Sequence, residues 1–238
     1  MAEPRHNKGF WSKGFTLAEV LITLGIIGVV AALTIPTLVK SYRKKITETR
    51  VRLAYSQFVQ AIQMSQVYNG PISSWNFPQP ETTEKSREFF NTYFKPYIKA
   101  EECKENTQEA CGKSVGSFNY QYTLSNSSSL AFQPGINGIA IMIDINGPEG
   151  PNVTGIDAFY FSARKDYDYK FMPAGWTPTV TKEDILAGTY VYNNEPCMCQ
   201  DVDTNSEIFD FQQTRCCALL LYLDNFKITE DYPISYYK

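Results

Sequence analysis

The side chains in this sequence with the reach to do chemistry fall into three groups. The first is six cysteines: Cys103, Cys111, Cys197, Cys199, Cys216 and Cys217. An even set outside an apolar span reads as disulfides, although six cysteines allow fifteen pairings. The spacing suggests Cys103 with Cys111 as a local loop, and Cys197 and Cys199 with Cys216 and Cys217. The rival is a four-cysteine zinc site built from Cys197-x-Cys199 and Cys216-Cys217, but structural zinc sites use C-x-x-C or wider spacing. The second group is oxygen. Asp144, Asn146, Asn152 and Asp157 lie on one turn-rich stretch, where hard oxygen donors converging on a point would suit Ca2+. Their spacing is not that of an EF-hand. The alternative is that Asp144 and Asp157 cap turns and accept backbone N–H groups. No other cofactor is indicated. The third group is the carboxylate pairs Asp166/Asp168 and Asp201/Asp203. Two carboxylates can run glycoside hydrolysis, but these sit in polar loop stretches without a pocket signature and read as solvated surface.

One histidine is present, His6, in a short basic segment from Met1 to Gly14 that also holds Arg5, Lys8 and Lys13 against Glu3. A mature chain starting after Gly14 would have none, which excludes Ser-His-Asp and Cys-His catalysis and histidine-based zinc sites. The expectation is that the protein is not an enzyme. The net charge is −3, unevenly spread: Asp144 to Lys238 carries fifteen acids against seven bases. An acidic C-terminal part does not indicate a nucleic-acid groove. The basic stretch is Lys40–Arg52, so cations flank the apolar run on both sides and do not orient it cleanly.

These groups must be positioned by a chain organised around Phe15–Val39. This run of 25 residues has Glu19 as its only charge. As a helix it spans roughly 37 Å, enough to cross a hydrocarbon core of ~30 Å. It is too long for the apolar core of an ordinary signal peptide, and Ala31-Ala32 lacks the small-residue cleavage pattern after it. A carboxylate inside such a run needs a partner. Beyond Pro36, Tyr42, Ile46, Leu53, Phe58, Val59 and Ile62 recur mostly at helical spacing, until Asn69-Gly70-Pro71 stops the pattern. One helix of about 54 residues is expected, kinked at Pro36 and loosened at Gly25 and Gly28. A short helix is expected over Glu84–Ile98 with aromatic residues on its apolar side, then a polar loop over Ala100–Gly112. Strands follow over Phe118–Leu124, Leu130–Gln133, Gly138–Ile145 and Phe159–Phe161. Thr181 should cap a short helix, and a helix is favoured within Phe209–Leu223. The fold class is therefore α+β: a long N-terminal helix, with a membrane-spanning front and an amphipathic rear, packed on an antiparallel sheet with extra loops and short helices.

Gly14-Phe15-Thr16-Leu17-Ala18-Glu19-Val20-Leu21 resembles the prepilin cleavage and methylation site of type IV pilins and type II secretion pseudopilins, and the likeness runs from Lys13 to about Leu38, Pro36 included. The resemblance implies three parts: a leader over 1–14, a transmembrane and filament-core helix over 15–39, and a pilin-like head over 40–238. It implies that a prepilin peptidase and N-methyltransferase cuts after Gly14 and methylates Phe15. It also implies that Glu19 meets the Phe15 amino group of a neighbouring subunit. The implied partners are other pilin or pseudopilin subunits, an inner-membrane assembly platform and, before assembly, membrane lipid. The implied location is the inner membrane, crossed once, with the head periplasmic or extracellular. A structural subunit of a pilus or pseudopilus is the expected function, and a minor or tip pilin acting as an adhesin or cargo-binding module is the alternative. Asp144–Phe159 also resembles a recurring segment of pseudopilin-like heads. Asp224–Pro233 resembles their N-G-W-K-I-x-x-D-Y-P tail, with Phe226 at the aromatic position and Asn225 where the family has Gly.

Overall fold

The structure, a computed structural model, describes residues 14–79, 82–103, 111, 120–192, 194–200 and 214–237. The leader with His6, the pair Asp201/Asp203, most of the loop closed by Cys103 and Cys111, and the start of the Phe209–Leu223 stretch lie outside the described residues. The chain divides into two units, Met1–Ser41 and Tyr42–Lys238.

Helix α1, Leu17–Asn69, runs unbroken through Pro36. The proline leaves one backbone carbonyl of the preceding turn without its usual donor, and the rest of the ladder carries the helix on. Gly70, at φ +76°, ends it. In the first unit the helix presents bare apolar side chains, including Leu21, Ile22, Ile26, Val29 and Leu33. None of this apolar stretch is buried, and the helix is long and apolar enough to cross a membrane.

In the second unit, α1 buries Thr47, Val51, Ala54, Phe58, Ala61, Ile62 and Ser65, a stripe at three- and four-residue spacing. The expected stripe was partly misplaced: Tyr42 and Leu53 are exposed, and Ala54 and Ala61 take the buried face.

That face packs on a six-stranded antiparallel sheet in sequential order. Its strands are β1 (Ala100–Glu102), β2 (Tyr120–Leu124), β3 (Ser129–Gly135), β4 (Gly138–Asp144), β5 (Ala158–Arg164) and β6 (Phe171–Pro173). The register sets Phe132 opposite Ile141, and Ile141 opposite Phe161. One face thereby carries the main core with Phe58 and Ile62, and the alternate residues Ala131, Met142 and Ala158 form a small second cluster. The sheet corrects one expectation and adds one strand. Ala100–Glu102 is an edge strand rather than loop, because it pairs with β2, and Phe171–Pro173, for which no strand was expected, pairs with β5. Both are too short to show alternation.

Helix α2 (Thr83–Tyr93) is capped by Thr82, whose side chain accepts from the Lys85 N–H at 3.3 Å. It ends before Ile98 as Pro96 approaches. Phe89, Phe90 and Phe94 are buried, with Phe90 stacked on Tyr122 at 3.8 Å and Phe94 near Phe58 at 6.4 Å. Helix α3 (Lys182–Leu186) starts with a capping box between Thr181 and Asp184. A hairpin of β7 (Val191–Tyr192) and β8 (Glu195–Pro196) precedes helix α4 (Cys217–Leu223), which is buried over most of its length.

Candidate functional site

The N-terminal segment assembles its own polar end. Thr16 and Glu19 form a reciprocal cap: the Thr16 N–H and Oγ1 each donate to Glu19 Oε2 at 2.8 Å, and the Glu19 N–H donates to Thr16 Oγ1 at 3.2 Å. The one carboxylate of the apolar run therefore sits at the positive end of the helix, one turn from Phe15. Phe15 is 87% exposed, beside Gly14. Apolar stripes of this kind leave apolar contact or lipid to be supplied from outside the chain.

In the second unit, a loop from Ile145 to Asp157 brings Asp144, Asn146, Asn152 and Asp157 together. Asp157 Oδ2 accepts the Asn152 N–H at 2.8 Å and its Oδ1 accepts the Val153 N–H at 2.5 Å. The Asn146 N–H donates to Asp144 Oδ1 at 3.3 Å. The Asn146 and Asn152 amide nitrogens tie back to the carbonyls of Glu149 and Pro148, leaving both amide oxygens buried without a partner. Burial pushes the Asp157 carboxyl up to about 6, against the pull of the Val153 and Asn152 N–H groups. The orphaned oxygens are what a hard cation would take. However, Arg43 and Arg50 line the same cavity of about 190 Å3, and Arg50 donates to the Ile145 carbonyl at 3.1 Å. Two guanidiniums oppose a divalent charge there. Among the described residues no cluster of three or more His, Cys, Asp or Glu could hold a metal.

The cysteines pair as Cys103–Cys111, Cys197–Cys216 and Cys199–Cys217. With all six sulfurs oxidised, a four-cysteine zinc site has no thiolates to use. The last two bridges are buried and staple the start of α4 to the segment after β8. Backbone passes close on both sides. A Cβ on Gly155, at φ +87°, would stand 2.7 Å from Cys217 Sγ, and one on Gly175 would meet Cys216 Sγ at 2.7 Å.

The rear of α1 is fastened by the basic stretch and by the tail. Arg52 donates to the Asn225 carbonyl and Oδ1 at 2.8 and 2.7 Å, and Glu48 accepts the Ile228 N–H at 3.0 Å. Thr47 bonds the Tyr237 hydroxyl at 3.0 Å, and the Tyr232 hydroxyl donates to the Gly155 carbonyl at 2.7 Å. These roles were missed because an Arg on the polar face of a helix, or a Tyr near the last residues, reads as solvated surface. Asn225 itself sits at φ 55°, left-handed backbone that suits Gly and tolerates Asn, which accounts for the departure from the G-W tail. Also missed were Arg164 and Arg215, each with its guanidinium 5.5 Å from the Tyr192 ring centre. Their only signal was a cation beside an apolar strand and another beside a cysteine pair.

Two family models match the chain. The model for the prokaryotic N-terminal methylation motif, the prepilin-type signal of type IV pilins and pseudopilins, covers residues 12–35, and a model described as "Family of unknown function (DUF6613)" covers residues 37–236. Comparison with curated proteins and with solved structures returns no match. The methylation motif, the bare apolar helix and the helix-on-sheet head describe a type IV pilin- or pseudopilin-like protein, and the second match spans most of its length: the chain belongs to the DUF6613 family.

Proposed function

We propose that the protein is a structural subunit of a type IV pilus or type II secretion pseudopilus. The observation that carries this reading is the apolar helix that starts beside Gly14-Phe15, holds one carboxylate at Glu19 and is covered by none of the described residues. A prepilin peptidase cuts after Gly14 and Phe15 is methylated. The membrane holds the helix until an inner-membrane platform extracts it, with the head on the periplasmic or outer side. In the filament, Glu19 exchanges its Thr16 cap for the Phe15 ammonium of a neighbouring subunit, since a charge buried in an apolar bundle is costly unless paired. Pro36 frees a carbonyl where neighbouring helices pack. The chain is a substrate of enzymes and has no catalytic role. The test is the intact and N-terminal fragment mass of protein from its native membrane. A chain starting at Phe15 with one added methyl is expected; a chain starting at Met1 or Ala2 overturns the reading. Copy number per filament separates a main subunit from a tip subunit.

For the Asp144–Asp157 loop we propose the turn-capping role. The Asp157 oxygens hold backbone N–H groups, and Arg43 and Arg50 supply positive charge beside them. Thermal melts with calcium and with a chelator should coincide. A midpoint raised by calcium would place Ca2+ on Asp144, Asn146, Asn152 and Asp157 instead.

A further inference from the structure

The arginines of the second unit divide by where they stand. Arg87, Arg164 and Arg215, beyond α1, each hold a carboxylate: Glu102 at 2.8 Å, Asp166 at 2.7 Å and Glu195 at 2.5 Å. Arg43, Arg50 and Arg52, on α1, hold only neutral oxygens among the described residues. Arg43 donates to the Tyr236 hydroxyl at 3.0 Å, Arg50 to the Ile145 carbonyl at 3.1 Å and Arg52 to Asn225. All three are exposed. Lys44 makes no ion pair among the described residues, and Lys45, its side chain 68% exposed, reaches Glu48 only at 3.9 Å. The acids close by are spent on backbone: Glu48 accepts the Ile228 N–H and Asp157 accepts those of Asn152 and Val153. Positive charge is thus left over on this stretch of α1 and open to solvent.

Its arrangement says what kind of anion it suits. Successive residues of an α-helix turn by about 100°, so Arg43, Lys44 and Lys45 leave α1 on three different sides. A single small anion is held by cations that converge. Cations that ring a helix suit a charged layer around it. The place along the chain fits such a layer. Arg43 stands four residues past Val39, the end of the apolar run, which is about 6 Å by helical rise. The headgroup zone outside a hydrocarbon core is about 5–8 Å deep. Two aromatic side chains accompany the ring. Tyr42 is 66% exposed, and the Tyr236 ring centre lies 5.5 Å from the Arg43 guanidinium. Tyrosines gather where a membrane meets water, with an apolar body and a polar tip.

We propose that Arg43, Lys44 and Lys45 form a collar that binds the headgroups of anionic phospholipids on the side of the membrane from which the head emerges. The inference rests on the reading of Phe15–Val39 as a membrane span. A cation at a membrane surface gains from anionic lipid, and the gain dies away over a Debye length of about 8 Å. Arg50 and Arg52 are about 16 and 20 Å past Val39 by helical rise and contribute little. A zwitterionic headgroup presents the same phosphate with its charge cancelled by its own ammonium, so the collar tells the two lipid classes apart.

The test reconstitutes the full chain in phosphatidylcholine bilayers with traces of spin-labelled phosphatidylglycerol or spin-labelled phosphatidylcholine. Electron spin resonance then reads how much of each label is held against the protein. Held lipid of either kind reports the span, and the ratio of the two reports the collar. Phosphatidylglycerol should be preferred about 5-fold, the size of one charge contact at a membrane surface. In about 1 M salt, where the Debye length falls to ~3 Å, the ratio should approach one. Arg43→Gln, Lys44→Gln and Lys45→Gln together should lower the ratio at least about twofold. The leader cations Arg5, Lys8 and Lys13 are the same in both chains and cancel in this comparison. Lys44→Gln with Lys45→Gln keeps the Arg43 bond to Tyr236 and replaces the triple variant if that one does not fold. Held lipid without preference, or a preference that survives the substitutions or the salt, overturns the collar and leaves the span standing. No held lipid of either kind overturns the span, and the collar with it.

Discussion

The two ends of α1 share one helix and face opposite problems. From Leu17 to Ser41 the helix exposes almost every apolar side chain it has, and from Thr47 to Ser65 it buries them at regular spacing. Composition marks the difference: the front is apolar around its whole circumference, and the rear alternates apolar residues with Lys, Arg, Glu and Gln. An all-round apolar helix needs a solvent that is apolar all round, and a striped helix needs a single covering face. The front thus calls for apolar surroundings that the described residues do not supply, and the rear for one sheet.

That contrast can be broken from either side. The largest effect should come from Glu19→Val, which removes the one charge of the front. Membrane insertion should persist while filament assembly is lost, read by shearing and quantifying filaments; normal filaments would remove Glu19 from any assembly role. On the rear, Phe58→Ala should leave insertion and processing unchanged and cost the head about 3–5 kcal/mol, the range for deleting a buried aromatic ring. Denaturant titration of the detergent-solubilised chain measures this, and an unchanged midpoint would mean that the helix does not dock as described. Removing one staple with Cys197→Ser and Cys216→Ser together should cost less than the ~3 kcal/mol expected for a lone bridge of this loop size, because Cys199–Cys217 still closes almost the same segment. Membrane extraction of the front should not notice.

A pH series sharpens the comparison more gently. Burial raises the Asp157 carboxyl from 3.8 to about 6, so the folded head holds this proton more tightly than the unfolded chain. Its contribution is fully present below about pH 4 and lost as pH rises through about 6, on the order of 3 kcal/mol. Asp157→Asn should flatten that slope. A wild-type slope unchanged by the substitution would move its source elsewhere.

Legibility followed the same divide. Phe15–Val39 could be read because its signal is local: length, apolar character and a short motif around Gly14 and Glu19. The strands β3, β4 and β5 were readable from their β-branched and aromatic runs. Three-residue strands such as Phe171–Pro173 were not, since their pairing is supplied by β5. The buried stripe of α1 was partly misjudged because Ala54 and Ala61 are inside for want of bulk, which hydrophobicity alone does not register. The approach of Arg164 and Arg215 to Tyr192 was invisible, as the two arginines lie about fifty positions apart and meet only through the fold.

The contact between Thr47 and the Tyr237 hydroxyl joins positions 190 residues apart. The sheet, by contrast, is a sequential meander whose neighbours are made one after another. The two kinds of contact therefore become possible at different times as the chain is made. The strands can pair as they emerge, while the helix that covers them cannot be clasped until Tyr237 has been made and delivered. During that interval Val51, Phe58 and Ile62 have only a partly built surface to rest on. The bond that fastens the rear of α1 is thus the last of these contacts to become possible in order of synthesis.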